Sequence, residues 1–191
     1  LILPANQKRP YDSIQFLARL TDNSEFMEFR PDYGPEVFCG IAKIDGFPVA
    51  IVGNRQGVYP DYPAYAEGAY PGVGGKHYRE GLIKQGEFVT LCGRDNLPII
   101  WLQDTTGIDV GDLAEEAELL GLGQALVYSI EQTDISMMCI VLRKGQAAAH
   151  YIMCGPQANN NNAFTLGTVC SEICVMHGET AAAASYARRL I

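Results

Sequence analysis

Two segments of the chain bring small residues to a point where a predicted strand runs into a predicted helix. They are Trp101-Leu-Gln-Asp104-Thr-Thr-Gly107-Ile-Asp-Val-Gly111 and Val141-Leu-Arg-Lys-Gly-Gln-Ala147-Ala-Ala-His150. Such a turn leaves backbone N–H groups unpaired and pointing outward, and small side chains let a ligand approach them closely. Donors from two neighbouring strand ends could bracket one developing oxyanion, and losing one such donor costs on the order of 3 kcal/mol in other enzymes. The same spacing also suits two ordinary tight β-to-α turns, and spacing alone does not separate the two readings.

Other chemistry is weakly signalled. His77, His150 and His177 are scattered, and no Ser stands in a G-x-S-x-G turn, so no nucleophilic triad suggests itself. Gly72-x-Gly74-Gly75 precedes a predicted helix without following a strand, which weakens a dinucleotide fingerprint. Asp109 and Asp112 pair two carboxylates, but they read more simply as negative charge at a helix N-terminus. Cys170, Cys174 and His177 have a Cys-x3-Cys spacing that suits zinc poorly, and no metal is expected.

The elements that must position these residues follow from pattern. Residues 12–20 predict a short helix capped by Asp12 or Ser13. Val37 to Ile44 and Phe47 to Val52 predict a hairpin around Asp45-Gly46, a dipeptide favoured by a type I′ turn. Residues 53–75 are dense in Gly, Pro and Tyr and read as an ordered functional loop, with Tyr59, Tyr62, Tyr65 and Tyr70 over a ligand or partner surface. A helix is predicted from about Lys76 to Arg94, then a buried strand from Pro98 to Gln103. Asp112 to Gln132 predicts one helix opened by the capping box Asp112-x-x-Glu115, with Leu119, Leu122, Leu126 and Ile130 as its core stripe. Gly121 and Gly123 inside it each cost about 1 kcal/mol of helix propensity and suggest a closely packed neighbouring backbone. Met137 to Leu142 and Val169 to Met176 predict further strands, 159–162 a surface loop, and Gly178 onward an Ala-rich helix. Strands alternating with helices indicate one α/β domain with largely parallel pairing.

Composition narrows the class. The 191 residues carry 14 basic and 22 acidic groups, a net charge of −8, so no basic surface is available for a run of phosphates and nucleic acid is excluded as a partner. No apolar run approaches the ~18 to 20 residues of a membrane span, and residues 1–10 show no basic start followed by an apolar stretch. The start without Met and the stop inside a predicted helix read as a piece of a longer protein. Six cysteines lie mostly in apolar runs without a CxxC pair and are expected as reduced thiols. Charged residues are 19% of the chain against a usual figure of about 25%, which suits either a well-packed core or an apolar surface buried against another chain.

These residues also carry a resemblance. Tyr11-Asp12, Asp22-x-x-Glu25-Phe-x-Glu28-Phe29, Gly40 with Ala42 and Val49, Leu97-Pro98 leading to Asp104-Thr105-x-Gly107, and Arg143-Lys144 resemble the C-terminal domain of biotin-dependent acyl-CoA carboxyltransferases. Longer stretches are similar to the family's decarboxylase branch, among them Tyr70-Pro-Gly-x-Gly-Gly-Lys76, Leu119-Leu-Gly-Leu-Gly-Gln124 and Met176-His-Gly-Glu-Thr180. The resemblance implies a crotonase-like α/β fold of ββα superhelical units. It implies a connector over 1–10 and a biotin-facing C-terminal-type domain over 11–191, truncated at its end. The implied activity moves a carboxyl group from glutaconyl-CoA to biotin on a carrier protein. The substrate is thus a coenzyme A thioester, and the setting a sodium-pumping complex that is cytoplasmic and peripheral to the inner membrane. Implied partners are a biotinyl carrier subunit, a membrane decarboxylase subunit, and a second copy in a homodimer or higher oligomer.

Carried onto this chain, the family's oxyanion donors fall at the amides of Gly107 or Ile108 and of Ala148 or Ala149, with Asp104, Thr105, Gly111 and Ala147 on the substrate side. Thr106 stands where many members have Pro, Ile108 where they have an aromatic residue, and Ala147-Ala148 where they have Gly-Gly. The backbone donors survive these changes, which point to the decarboxylase branch rather than to propionyl- or methylcrotonyl-CoA carboxylases. Two rival expectations are a carboxylase acting on another acyl-CoA and a non-catalytic module that docks a biotin carrier or dimerises.

Overall fold

The computed structural model describes residues 2–63, 65, 71–154 and 162–186. Helix α1, Ser13–Leu20, starts at Asp12, whose carboxylate accepts from the Ile14 amide at 2.9 Å. A single 3-10 turn, Asp22–Ser24, leads to β1, Met27–Glu28. Strands β2, Val37–Ile44, and β3, Phe47–Asn54, form the expected hairpin. Asp45 and Gly46 both take positive φ, 51° and 79°, as a type I′ turn requires.

The Gly-, Pro- and Tyr-rich segment is ordered where it is described. Strands β4, Val58–Pro63, and β5, Pro71–Val73, pair antiparallel. The Tyr62 side chain and Tyr70 lie outside the described residues. Next comes β6, Lys76–His77, so helix α2 begins at Arg79 rather than Lys76 and runs to Arg94. The predicted stripe holds: Tyr78, Leu82, Val89 and Cys92 are all buried. Strand β7 spans Ile99–Thr105, and β8, Gly107–Ile108, pairs parallel with β6.

The expected single helix from Asp112 is broken in two. Helix α3, Asp112–Glu116, is followed by α4, Leu119–Glu131, with Glu118 left-handed at φ 57° between them. The capping box does not form, because Gly111 occupies the cap and no side chain bonds there. Nor do the two glycines meet another backbone: a Cβ on Gly121 would touch nothing within 4 Å, and one on Gly123 would sit 3.1 Å from Ile108 Cδ1. Strand β9, Met137–Gln146, runs four residues past the predicted Leu142 end and passes directly into α5, Ala147–Ile152. The Asn run lies outside the described residues except for Asn162, which opens β10, Asn162–Gly167. The strand expected from Val169 is only β11, Glu172–Cys174, and α6 is Gly178–Tyr186.

The main sheet runs β1-β2-β3-β7-β9-β10, with β11 also against β9. The β1–β2 and β2–β3 pairs are antiparallel, and the remaining pairs of this sheet are parallel. Parallel strands are covered on both faces, which is why β7 and β9 read as continuous apolar runs. Ile99 and Trp101 face one core with Leu82, Val89, Leu126 and Ile130 of α2 and α4. Leu102 faces the second core, with Leu17 of α1 and Phe38. The C-terminal elements are less enclosed: Phe164, Leu166, Ile173 and Val175 are exposed, as are Val110 and Leu120. Among the described residues all six cysteines are free thiols, no group of His, Cys, Asp and Glu could hold a metal, and no helix is long and apolar enough to cross a membrane.

Candidate active site

The two strand ends sit side by side because β7 and β9 are neighbours in the sheet. Their register slips between Gln103↔Val141 and Thr105↔Gly145, so Asp104 alone faces three residues of β9. This bulge turns Arg143 and Lys144 onto Asp104. Arg143 Nε donates to Asp104 Oδ2 at 2.8 Å, the Lys144 amide donates to Oδ1 at 3.1 Å, and the Lys144 ammonium lies 3.8 Å from Oδ1. Both Asp104 and Arg143 are fully buried. Arg143 spends its other donors on the carbonyls of Asn6 and Arg9, at 3.2 and 2.7 Å, and on Gln56 Oε1 at 3.3 Å, and it stacks on the Tyr11 ring. One guanidinium thus ties the 1–10 segment and the start of the Tyr-rich loop to the strand ends.

A cavity of about 980 Å³ opens between these elements. Gly107 and Ile108 from β8 and Ala147 and Ala148 from α5 all line it, with Lys76, Asp109, Val110 and Leu120 nearby on its walls. The carried-over donors now separate. The Gly107 amide faces Thr105 Oγ1 at 3.4 Å. The Asp109 amide donates to the His77 carbonyl at 3.1 Å across the β6–β8 pair. Adjacent amides of a strand point opposite ways, so the Ile108 amide is turned away from β6. Ala148 is exposed and lies in the first turn of α5, where the helix supplies no acceptor, whereas Ala149 is buried. Ile108 and Ala148 both line the cavity.

Of the remaining expected substrate contacts, Asp104, Thr105 and Gly111 do not line the cavity and Ala147 does. Asp104, expected on the substrate side, is fully buried with both its oxygens engaged by Arg143 and Lys144. Thr105 is buried and donates to the Gly75 carbonyl at 3.0 Å, and that carbonyl also accepts the Thr106 amide at 2.7 Å. The Gly75 carbonyl therefore latches the end of β7. Gly111, at φ 116°, caps α3 and stands outside the cavity lining. Ala147 does line it, at φ 47°, a left-handed conformation that costs a non-glycine residue roughly 1 kcal/mol or more.

Helix α5 is oriented by a lock that is invisible in the sequence. Gln103 Nε2 donates to the carbonyls of His150 and Met153, at 3.1 and 2.6 Å, which leaves Oε1 as an acceptor 2.6 Å from His150 Nδ1. The network therefore assigns the proton of His150 to Nδ1. Burial lowers the His150 pKa and keeps the ring neutral. His77, buried between Asn54 and Gln85, is pushed down to about 4 by burial alone, and neither ring is placed to act as a base at the cavity. The Lys144 ammonium, on the cavity wall, is also lowered by burial, against the raising pull of Asp104.

Known proteins are similar to this chain in sequence and fold. The carboxyl transferase domain matches residues 1–191. The chain belongs to the carboxyl transferase domain family. This domain is 57% identical over 189 residues to the glutaconyl-CoA decarboxylase subunit alpha of Acidaminococcus fermentans, covering 99% of the chain and 32% of that relative. It thus spans about a third of the length of the curated relative it matches. In structure it superposes with a TM-score of 0.83 on the beta subunit of P. aeruginosa geranyl-CoA carboxylase, 24% identical, covering 99% of this chain and 33% of that one. A TM-score of 0.81 relates it to transcarboxylase 12S, a hexamer solved with methylmalonyl-CoA and methylmalonic acid bound, at 22% identity and 99% and 33% coverage. The crotonase-like α/β fold is the one expected from the sequence.

Sequence reasoning missed one charged constellation in the carboxyl transferase domain. Asp109, read as helix-terminal charge, instead accepts from Lys76 Nζ and from Tyr65 Oη, each at 2.7 Å. The signal available was Gly74-Gly75, a poor helix opening that placed Lys76 in a strand instead.

Proposed function

We propose that this domain supplies the biotin-facing half of a carboxyltransferase site that takes the carboxyl group of glutaconyl-CoA and passes it to biotin on a separate carrier protein. The observation that supports the reading is that Ile108 and Ala148, each just past the end of one of two adjacent strands, line the same cavity. Similarity to a glutaconyl-CoA decarboxylase subunit supports the choice of acyl group.

The residues present fit a ureido ring. Its carbonyl oxygen needs donors, which the two amides offer, and its hydrocarbon parts need apolar walls, which Val110, Leu119 and Leu120 provide. Biotin, when bound, supplies the nitrogen that receives the carboxyl group. The role of the Ile108 and Ala148 amides is to hold its oxygen as negative charge builds there, a stabilisation set in advance by the fold. On the acyl chain, the electrons of the broken C4–carboxyl bond remain as a dienolate. The proton given up by the ureido nitrogen returns to that carbon and yields crotonyl-CoA, so no oxidant or reductant is required. The Gln103 lock and the Arg143 tie keep the donors in place.

Exposed apolar residues on β10 and β11, with Val110 and Leu120 at the cavity, support assembly with a second copy in a homodimer or larger oligomer. A biotinyl carrier subunit and a membrane decarboxylase subunit complete the proposed complex, which places the domain in the cytoplasm against the inner membrane.

The test uses the intact subunit with free biotin and glutaconyl-, propionyl- or methylcrotonyl-CoA. Transfer from glutaconyl-CoA is expected, and its absence overturns the substrate assignment. Replacing Ala148 by lactic acid deletes one N–H without changing the side chain, and about a hundredfold loss of kcat is expected. A normal rate in that variant overturns the role of the amide.

A further inference from the structure

We infer that Lys76 binds the carboxylate that is being transferred, held in position by Asp109. The inference rests on the reading of the cavity as a carboxyltransferase site and names the group that meets the migrating anion.

The placement begins with strand pairing. In the β6–β8 ribbon Lys76 lies opposite Gly107 and His77 opposite Ile108. Lys76 and Asp109 are therefore diagonal neighbours on one face, within reach of each other's side chains. The His77 ring is buried between Asn54 and Gln85, while Lys76 and Asp109 line the cavity with Ile108. Lys76 Nζ sits 2.7 Å from Asp109 Oδ1, and Tyr65 Oη donates to Oδ2 at the same distance.

The pair is unequal in exposure. The Asp109 side chain is 2% exposed and that of Lys76 39% exposed, so the cavity meets the cationic end. An ammonium carries three N–H donors, and a single carboxylate oxygen does not use them all. Asp109 thus fixes a long, flexible side chain in one direction while leaving donors for an arriving anion. The nearby wall is apolar, from Val58, Val73 and Val110, and a charge-assisted hydrogen bond is stronger in such surroundings than in water. The anion that the proposed reaction brings beside the Ile108 amide is the carboxylate itself.

Calorimetric titration of the intact subunit with glutaryl-CoA and butyryl-CoA, which differ only in the terminal carboxylate, tests this. Lys76→Met is expected to weaken glutaryl-CoA about 10- to 100-fold, the loss of one charge-assisted bond, and to leave butyryl-CoA within about twofold. Lys76→Arg, which keeps the charge, is expected to recover most of the loss. Asp109→Asn is expected to weaken glutaryl-CoA less than Lys76→Met does, and the double variant to be no weaker than Lys76→Met alone, because the two residues act as one unit. Equal weakening of both ligands marks a contact to the coenzyme A phosphates and overturns the inference, as does no weakening of either. If glutaryl-CoA binding is unchanged in Lys76→Met while carboxyl transfer persists, this inference fails and the proposed function stands. If the wild-type subunit binds neither ligand, both fall.

Discussion

Asp104→Asn is the most informative single change, because it keeps the shape of a buried side chain and removes only its charge. Arg143 is fully buried, and Asp104 is its charged partner at 2.8 Å. Breaking such a pair by neutralising one member typically costs about 3–5 kcal/mol, since the other charge stays buried and uncompensated. The new amide NH2 also faces either the Arg143 Nε–H or the Lys144 amide, both donors, so one of two contacts is lost outright. A domain of 150–250 residues loses about 2–4 °C of Tm per kcal/mol, so a drop of about 6–20 °C is expected. Scanning calorimetry of the intact subunit with and without the substitution measures it. Because Arg143 also anchors the carbonyls of Asn6 and Arg9 at the cavity, KM for free biotin is expected to rise by a larger factor than kcat falls. Arg143→Met combined with Asp104→Asn should recover part of the lost stability, as replacement of both partners often does. A Tm within about 2 °C of wild type for Asp104→Asn, less than the change from 1 kcal/mol, would refute the view that this ion pair is the keystone of the strand ends.

Ala147→Gly removes a Cβ from a left-handed residue at φ 47°. Relief of about 1–2 kcal/mol of backbone strain is partly offset by about 0.4–1 kcal/mol of added freedom in the unfolded chain. A net gain of up to about 1 kcal/mol in urea denaturation is expected, with a lower KM for free biotin. Two buried groups titrate in opposite senses. His77, held near 4 against 6.5 when unfolded, favours folding above pH 6.5 and loses that contribution as pH falls toward 4. Glu36 is raised by burial from 4.5 to about 7, so its contribution is present below pH 4.5 and is lost as pH rises toward 7. Their slopes cancel between pH 4.5 and 6.5. Glu36→Gln should therefore stabilise the domain by up to about 3 kcal/mol at pH 8, gain nothing below pH 4.5, and expose the falling His77 contribution between pH 6.5 and 4. Urea midpoints at pH 4, 6 and 8 check all three.

Local chemistry explains which parts of this architecture were legible in the sequence. Asp45-Gly46 specifies its own turn through two positive φ angles, and Asp12 caps α1 through its own side chain, so both can be read from adjacent residues. The break between α3 and α4 could not be read, because Glu118 takes a left-handed conformation without the glycine that usually announces one. β6 is two residues long and exists only because β8 pairs with it, a contact more than thirty residues away. The strand ends could be located from their small residues. Which amides are already engaged depends on the β6–β8 ladder, and the orientation of α5 depends on Gln103 meeting His150. Asp104 looked like a ligand contact for the same reason: its partner Arg143 lies 39 residues further on.

The slip between β7 and β9 has a parity. Side chains alternate along a strand, so the surplus residues beside Asp104 decide whether everything after them points up or down. Removing one residue among Leu142, Arg143 and Lys144 would exchange the two faces of the rest of β9 and launch α5 from the wrong side of the sheet. The number of residues in this kink is therefore as tightly constrained as the Asp104–Arg143 pair that it carries.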